Sequence, residues 1–480
     1  MKHTLVILLF AVISGLQAQN FSYGDKFPFN PESEKEAQFV LADNYNTYLF
    51  SQINEHGMQS QHDIILRKFD QKNALVDTFN FEFPGMGAST LYNFLGMYQR
   101  NENQVVAYTH GYTGKTDKME VHEIVFDKTT DAFTSRLIFT HAIESNSKSG
   151  DMSFRISENG HFAAVVYTPY SKRKEPKNTI VHVYNTTNGD EVWSNEVVFE
   201  DTTEKHVAVT NSGNVLLVRI EKGFKAETNQ VIEVTSAGMK QLAFPEKTAL
   251  FEPKVFSIGS QDYFIAFYED KSFGVSAGKF NRLLMYSITD QKVLNDNKVE
   301  ALTQYKSLTG FSPAEITDVK ISELIFKDES MYLVLESMYK AGTVEKPMYA
   351  GSSATIEQDL IKYGVGYVLQ MDMAGKVMNA TTLKTSVGML PEISNSLGII
   401  NVQGDFYINT GWYYGLYKPS QLNDLDDEYG RKLFGYSTLS DYGVFVNQLM
   451  HYSPDSRILK LARYHRDNTM SLMDMSNFPN

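Results

Sequence analysis

The chain is predicted to be an all-β repeat protein, on three observations. An apolar or aromatic residue followed by a small polar one ends a strand-like stretch at seven places: Phe69-Asp70, Phe126-Asp127, Tyr184-Asn185, Val234-Thr235, Ile288-Thr289, Met371-Asp372 and Tyr452-Ser453. Successive copies lie 57, 58, 50, 54, 83 and 81 residues apart, and such self-similarity marks a repeat architecture. Each interval also offers four short strand candidates divided by turn residues.

In the first repeat the candidates lie near residues 37–42, 46–53, 62–69 and 74–83. Phe79, Phe81 and Phe83 alternate with Asn80 and Glu82, the period of a half-buried strand. The second repeat offers Gln104–Thr109, Val121–Phe126 and Phe133–Phe139. The third offers Phe162–Tyr167, Ile180–Tyr184 and Glu191–Phe199, with Asn188-Gly189-Asp190 between the last two. Asn-Gly is a strong hairpin signal because both turn residues accept positive φ.

Four antiparallel strands recurring about every 50 residues describe propeller blades. The expected fold is therefore a seven-bladed β-propeller of four-stranded antiparallel blades, with short helices in its loop insertions. One small sheet cannot hide both faces from water, but neighbours standing beside it cover both and leave short edges. Closure calls for a strand across the seam from residues 19–36 or 457–470. A pair of β-sandwiches is the alternative, since these also show regular short strands.

The N-terminus reads as a secretory signal over residues 1–18, leaving 19–480 as one domain. Lys2 and His3 precede 13 nearly unbroken apolar positions, 4–16, and Leu16-Gln17-Ala18 offers a small-residue cleavage site. A membrane span needs about 20 apolar residues, so a cleaved signal fits better than an uncleaved anchor. No later stretch is apolar enough to span a bilayer. Export to the periplasm, cell surface or medium is the expected location.

Without its leader the chain loses Lys2, and the net charge moves from −13 to −14. That acidity argues against nucleic acid or an anionic membrane surface as partner. The chain has no cysteine, which excludes disulfides, thiolate catalysis and zinc–cysteine sites. With 42% hydrophobic and 13% aromatic residues, it has ample material for a core.

Phe154-Arg-Ile-Ser-Glu-Asn-Gly160 and Val207-Ala-Val-Thr-Asn-Ser-Gly213 carry a Ser/Thr-x-x-Gly turn that resembles the strand openings of TolB-type and WD40-like propellers. The resemblance covers two of the seven repeats and implies a fold without an activity. Trp-Asp dipeptides, kelch di-glycines and sialidase boxes are absent.

The sixth and seventh repeats are longer, and the surplus falls at 340–364 and 415–443. If both are connections between second and third strands, they share one face and are neighbours there. Long loops in a compact repeat are more often functional than idle. Tyr349 and Tyr363 belong to the first; Trp412, Tyr413, Tyr414, Tyr417 and Tyr436 belong to the second or its flank. Aromatic rings with a polar tip offer rigid contact area for sugars or peptides, and equally pack a loop onto its own fold. Thr355-Ile-Glu-Gln358 fits a helix capping box, and Ser420 fits a second N-cap.

Little else carries chemistry. Gly274-Val-Ser276-Ala-Gly278 matches a nucleophile elbow, but that turn needs a helix after it and strand-like Arg282–Ile288 follows. Asp424, Asp426, Asp427 and Glu428 form the best candidate metal cluster. Their spacing does not match a calcium loop, and a solvated acidic helix end is the plainer reading. No cofactor is expected, with calcium at this quartet as the one candidate. His56, His62, His110, His122 and His182 are scattered, and Lys172-Arg173-Lys174 reads as a basic loop tip.

The reading these features favour is an exported binding or scaffolding module that recognises a glycan or protein partner through the aromatic loops. The rivals are a carbohydrate-active hydrolase or lyase with carboxylates in an axial funnel, and a structural component of a cell-envelope assembly.

Overall fold

The strands of the computed structural model follow the chain in order. It describes residues 20–30, 34–42, 46–53, 64–81, 90–113, 117–145, 148–172, 175–199, 202–222, 227–243, 248–250, 253–270, 282–298, 316–327, 329–347, 355–383, 397–402, 405–409, 416–417, 444–465, 467–476 and 478. Two short strands come first, β1 (Asn20–Tyr23) and β2 (Phe27–Pro28). A sheet follows from β3 (Glu34–Ala42), β4 (Thr47–Ile53), β5 (Ile64–Phe69) and β6 (Leu75–Phe81). The next comprises β7 (Thr90–Asn101), β8 (Gln104–Thr113), β9 (Lys118–Asp127) and β10 (Ala132–Ala142). Then come β11 (Asp151–Ile156), β12 (Phe162–Thr168), β13 (Lys177–Asn185) and β14 (Glu191–Phe199). The fourth holds β15 (Thr202–Val209), β16 (Val215–Lys222), β17 (Glu227–Thr235) and β18 (Gly238–Gln241).

The fifth sheet has β19 (Thr248–Leu250), β20 (Lys254–Ile258), β21 (Gln261–Asp270), β22 (Arg282–Ser287) and β23 (Lys292–Lys298). Long strands make the sixth: β24 (Ile316–Lys327), β25 (Ser330–Pro347), β26 (Thr355–Asp372) and β27 (Val377–Leu383). After β28 (Gly398–Val402), β29 (Asp405–Asn409) and β30 (Leu416–Tyr417), the chain ends with β31 (Val444–Ser453), β32 (Ile458–His465) and β33 (Thr469–Ser476). Pairing is antiparallel between chain neighbours, the meander of a propeller blade, and the fold class is the all-β propeller class. No α-helix occurs among the described residues, and so none there is long and apolar enough to cross a membrane.

Two compact units divide the chain: residues 1–52, 65–80 and 388–480, and residues 53–64 and 81–387. Within the second unit, each second strand is buried on both faces. Its sequence is therefore a continuous apolar run rather than an alternation. In β16, Val215 and Leu217 pack with Ala164, Val166 and Val181 of the preceding sheet. Leu216 and Val218, on the other face, pack with Leu250, Phe264 and Ala266 of the following one. Strand β21 repeats the device, turning Phe264 and Ala266 one way and Ile265 and Phe267 the other, toward Leu333, Leu335 and Met371. Burying each such side chain is worth about 1.5–3 kcal/mol. Fourth strands carry exposed apolar side chains, Leu75, Val76, Leu137 and Val192 among them.

The repeated dipeptide has a physical cause. In the first six copies it ends, or in the fifth directly follows, the next-to-last strand of its sheet, and its apolar member is buried: Phe69, Phe126, Tyr184, Val234, Ile288 and Met371. The polar member turns the chain. Asp70 Oδ1 accepts from the Lys72 and Ala74 amides at 2.8 and 2.9 Å, and Asp372 Oδ1 from Ala374 and Lys376 at 3.0 and 2.9 Å. Asp127 and Asn185 each accept from the amide two residues on, at 2.8 Å. Thr235 does the same at 3.2 Å. These are Asx-type turns. A left-handed residue closes them, Gly189 at φ 75° and Gly375 at φ 84° among them, where glycine carries no Cβ penalty. In the fifth copy Ser287 Oγ replaces the motif residue and accepts from the Asp290 amide at 3.0 Å.

The described residues form eight sheets, close to the seven repeats counted. The seventh copy, Tyr452-Ser453, ends β31, the edge strand farthest from β1 in its sheet, because the motif marks any tight hairpin. The last sheet runs β31-β32-β33-β1, with β2 also on β33. Its fourth strand, β1, comes from the other end of the chain, so no hairpin turn joins it to β33 and no motif marks that junction. The seam strand thus comes from residues 19–36, one of the two segments expected; 457–470 belong instead to β32 and β33.

The first insertion is also corrected. Thr355–Gln358 is the start of β26, not a helix: Thr355 pairs with Pro347 and Gln358 with Val344. A capping box specifies only two side chains, whereas the ladder pairs every backbone group along both long strands. The second insertion does not join a second to a third strand, since β30 at its start already pairs with β29. Residues 418–443, including the Ser420 cap, lie outside the described residues.

Candidate functional site

The sequence-predicted aromatics divide between two places. Tyr363 stands in β26 opposite Met338, and Tyr417 in β30 opposite Ile408. Tyr349, Trp412, Tyr413, Tyr414 and Tyr436 lie outside the described residues, as do Asp424, Asp426, Asp427, Glu428 and the Gly274–Gly278 segment. The first described residues after that segment, Arg282–Ser287, form strand β22.

Strands β25 and β26 make the distinctive feature of the second unit. Among the described residues, strand β24 pairs with β25 as far as Tyr339, and β27 pairs with β26 over Gly366–Met371. Beyond those points Lys340–Pro347 and Thr355–Ile361 pair with each other. A two-stranded ribbon thus extends the sheet by about 25 Å at 3.4 Å per residue. It is the enlarged second-to-third connection of the sixth repeat, and Tyr349 belongs to the segment joining its strands.

The same end of the second strands is where polar groups are buried. Thr109 in β8, Thr168 in β12, Arg219 in β16 and Glu336 in β25 each close an apolar run. Arg219 is fully buried; its guanidinium lies 3.9 Å from the Phe199 ring centroid, and its Nη1 donates to Thr179 Oγ1 at 3.3 Å. Thr179 and Thr168 hydroxyls bond at 2.9 Å. Ser322 Oγ donates to Glu336. Burying charge is costly unless it is bonded, so Arg219 and Glu336 are each held by a neighbour, whereas the Thr109 hydroxyl is buried with no hydrogen-bond partner among the described residues.

The first unit repeats the pattern. Arg67 in β5 binds Glu34 of β3 bidentately, at 2.6 and 2.9 Å, and Ser51 of β4 donates to Glu34 at 2.7 Å. Phe27 and Phe29 lie 5.6 and 6.0 Å from that guanidinium. Arg463 and His465 end β32; Arg463 sits 5.1 Å from the Tyr23 ring, and His465 Nε2 bonds Ser471 Oγ at 2.8 Å. Burial first, then Lys26, depresses the His465 pKa below its ordinary value and favours the neutral ring. A serine–histidine pair is chemically able to share a proton. Here both residues sit within one regular ladder and are buried, which fits a packing role.

At the opposite end of the same sheets, Lys460 Nζ donates to Asp474 at 2.5 Å and to Asn73. Burial holds its pKa below the usual lysine range. Among the described residues no group of three or more His, Asp or Glu is placed to hold a metal ion. The buried charges were missed by motif searching, yet they carried a signal: Val215-Leu-Leu-Val-Arg219 and Leu461-Ala-Arg463 are apolar runs interrupted by a cation.

No protein-family model and no curated protein matches the chain. Solved structures that resemble it include the β-propeller domain of the Trilobed protease from Pyrococcus furiosus, at 10% identity and TM-score 0.35, covering 74% of this chain and 95% of that one. An acylaminoacyl peptidase from Pyrococcus horikoshii matches 91% of this chain at 8% identity and TM-score 0.35, with 59% of its own length spanned. The polysaccharide lyase Uly1 matches at 10% identity and TM-score 0.41, covering 96% and 93%. These are likenesses at low identity; the propeller class stands on the strand pairing and sheet packing above.

Proposed function

We propose that the chain is an exported propeller-class binding or scaffolding protein that recognises a glycan or protein partner through its aromatic insertions. The observation that carries this reading is the β25–β26 ribbon. A two-stranded hairpin is marginally stable alone in water, and among the described residues Lys340–Pro347 pairs with Thr355–Ile361 alone. A segment kept at that cost has its use outside the sheet. Tyr349 and Tyr363 in or beside it, with Trp412, Tyr413, Tyr414, Tyr417 and Tyr436, supply rigid amphipathic rings suited to sugar or peptide contact.

Two variants of the mature chain test the reading. One replaces residues 342–360 by Asn-Gly; the other carries Trp412→Ala, Tyr413→Ala and Tyr414→Ala. On a glycan array and against purified envelope proteins, each is expected to lose the signal of the parent while melting at the same temperature. Parental binding by both variants rejects the insertions as the recognition surface.

A further inference from the structure

The strand that completes the last sheet is the first one after the leader. Strand β1 begins at Asn20, two residues beyond Ala18, and pairs Asn20 with Ser476, Phe21 with Met475, Ser22 with Asp474 and Tyr23 with Met473. The Gly24 amide donates to Leu472 O at 2.9 Å, and a Cβ at Gly24 would fall 2.4 Å from Asn73 Cβ. Phe27 and Phe29 are then buried among Leu49, Phe69, Leu449 and Leu472. Residues 20–29 are therefore an internal part of the first unit, wedged between β3–β6 and β31–β33. Their partner, β33, follows every other described strand in the chain.

We propose that removal of the leader is the step that lets the last sheet close, so that the fold is completed only after export. This rests on the exported reading. Hydrolysis of the Ala18–Gln19 peptide bond by a leader peptidase, with water as co-substrate, leaves a carboxylate on Ala18 and an amine on Gln19. Before that step the apolar run ends at Leu16. The four Cα–Cα steps from there to Asn20 reach at most about 14 Å. The headgroup layer takes about 6 Å of that, leaving about 8 Å, less than the ~10 Å that separates packed sheets. The far edge of β33 is already taken by β32, Ile458 pairing with Ser476, and the buried Phe478 donates its amide to Arg457 O at 3.0 Å, so β1 can pair only along the remaining edge. A membrane-held leader thus keeps β1 from the edge it must join.

The absence of native cysteine allows a clean test in the full chain. Asn20→Cys with Ser476→Cys places the only two thiols opposite each other, where cross-strand geometry permits a disulfide. Three forms are compared in the oxidising envelope: the normally processed chain, an uncleavable one with Ala18→Phe, and the uncleavable one with ten Gly/Ser residues inserted after Gln19. The expected result is crosslinking in the first and third and background in the second, because the spacer lengthens the leash. Equal crosslinking in all three overturns the coupling. So does a second form that stays uncrosslinked when the spacer is added. N-terminal sequencing of the processed chain separates this outcome from failure of export itself, which would leave Met1 in place.

Discussion

Single carboxylates organise turns throughout the chain. Asp372 accepts two backbone amides at the end of β26, and a hydrogen bond of this kind is worth about 0.5–1.5 kcal/mol net. Asp372→Ala should therefore lower stability by about 1–2 kcal/mol in denaturant unfolding, and Asp372→Asn, which keeps the acceptor, by clearly less. Histidines set the pH response. Burial, then Lys460, depresses His451, while burial and Lys26 depress His465. A folded pKa below the unfolded value of about 6.5 means that the unfolded chain binds more protons. Stability is then greatest above about pH 6.5 and falls as pH drops through that value toward the lower folded pKa values. His465→Gln, which keeps a polar partner for Ser471, should flatten the slope of unfolding free energy against pH below 6.5. An unchanged slope would show that His465 does not contribute.

Between elements, buried ions stitch one sheet to the next. Glu123 of β9 holds Arg100 of β7 at 2.7 Å and Arg136 of β10 at 2.9 Å. The two guanidinium groups donate to Thr186 O and Gly189 O, in the β13–β14 turn of the neighbouring sheet, at 3.1 and 2.5 Å. Gly189 has no room for a side chain, since a Cβ would lie 2.5 Å from Arg100 Nη2 and 2.6 Å from Arg136 Nη2. Removing one partner of a buried pair strands the other charge, at about 3–5 kcal/mol. Glu123→Ala should cost that much in equilibrium unfolding, and loss of under about 1 kcal/mol would show the network to be solvated. A second stitch joins two turns and strand β20: Glu158 accepts from Asn211 Nδ2 at 3.1 Å and from the Ser257 amide at 3.2 Å.

For the molecule as a whole, the N-terminal segment decides whether the first unit is complete. Deleting residues 19–29 would uncover the β33 edge and remove Phe27 and Phe29 from their cluster. Phe27→Ala alone should cost about 3–5 kcal/mol. The deletion should lower the melting temperature and raise light scattering on heating, because an unpaired edge recruits other chains. A deletion variant that melts like the parent and stays monomeric would show that β1 and β2 are dispensable.

By itself the sequence determined the strand class, the meander and the turn positions. Each of these is local: Phe69-Asp70 or Met371-Asp372 carries its buried ring and its amide acceptor within a few residues. Only tertiary structure decided how many sheets there are and what the first insertion becomes. The last sheet is completed by Asn20–Tyr23, whose partner β33 lies at the far end of the chain, and no local pattern records a pairing over that distance. Thr355–Gln358 has a helix signature yet forms a strand, because Ser330–Pro347 offers a ladder along its whole length and capping concerns only one turn. Arg67 and Glu34, likewise, are ordinary charges in sequence and become a buried pair only when β3, β4 and β5 lie side by side.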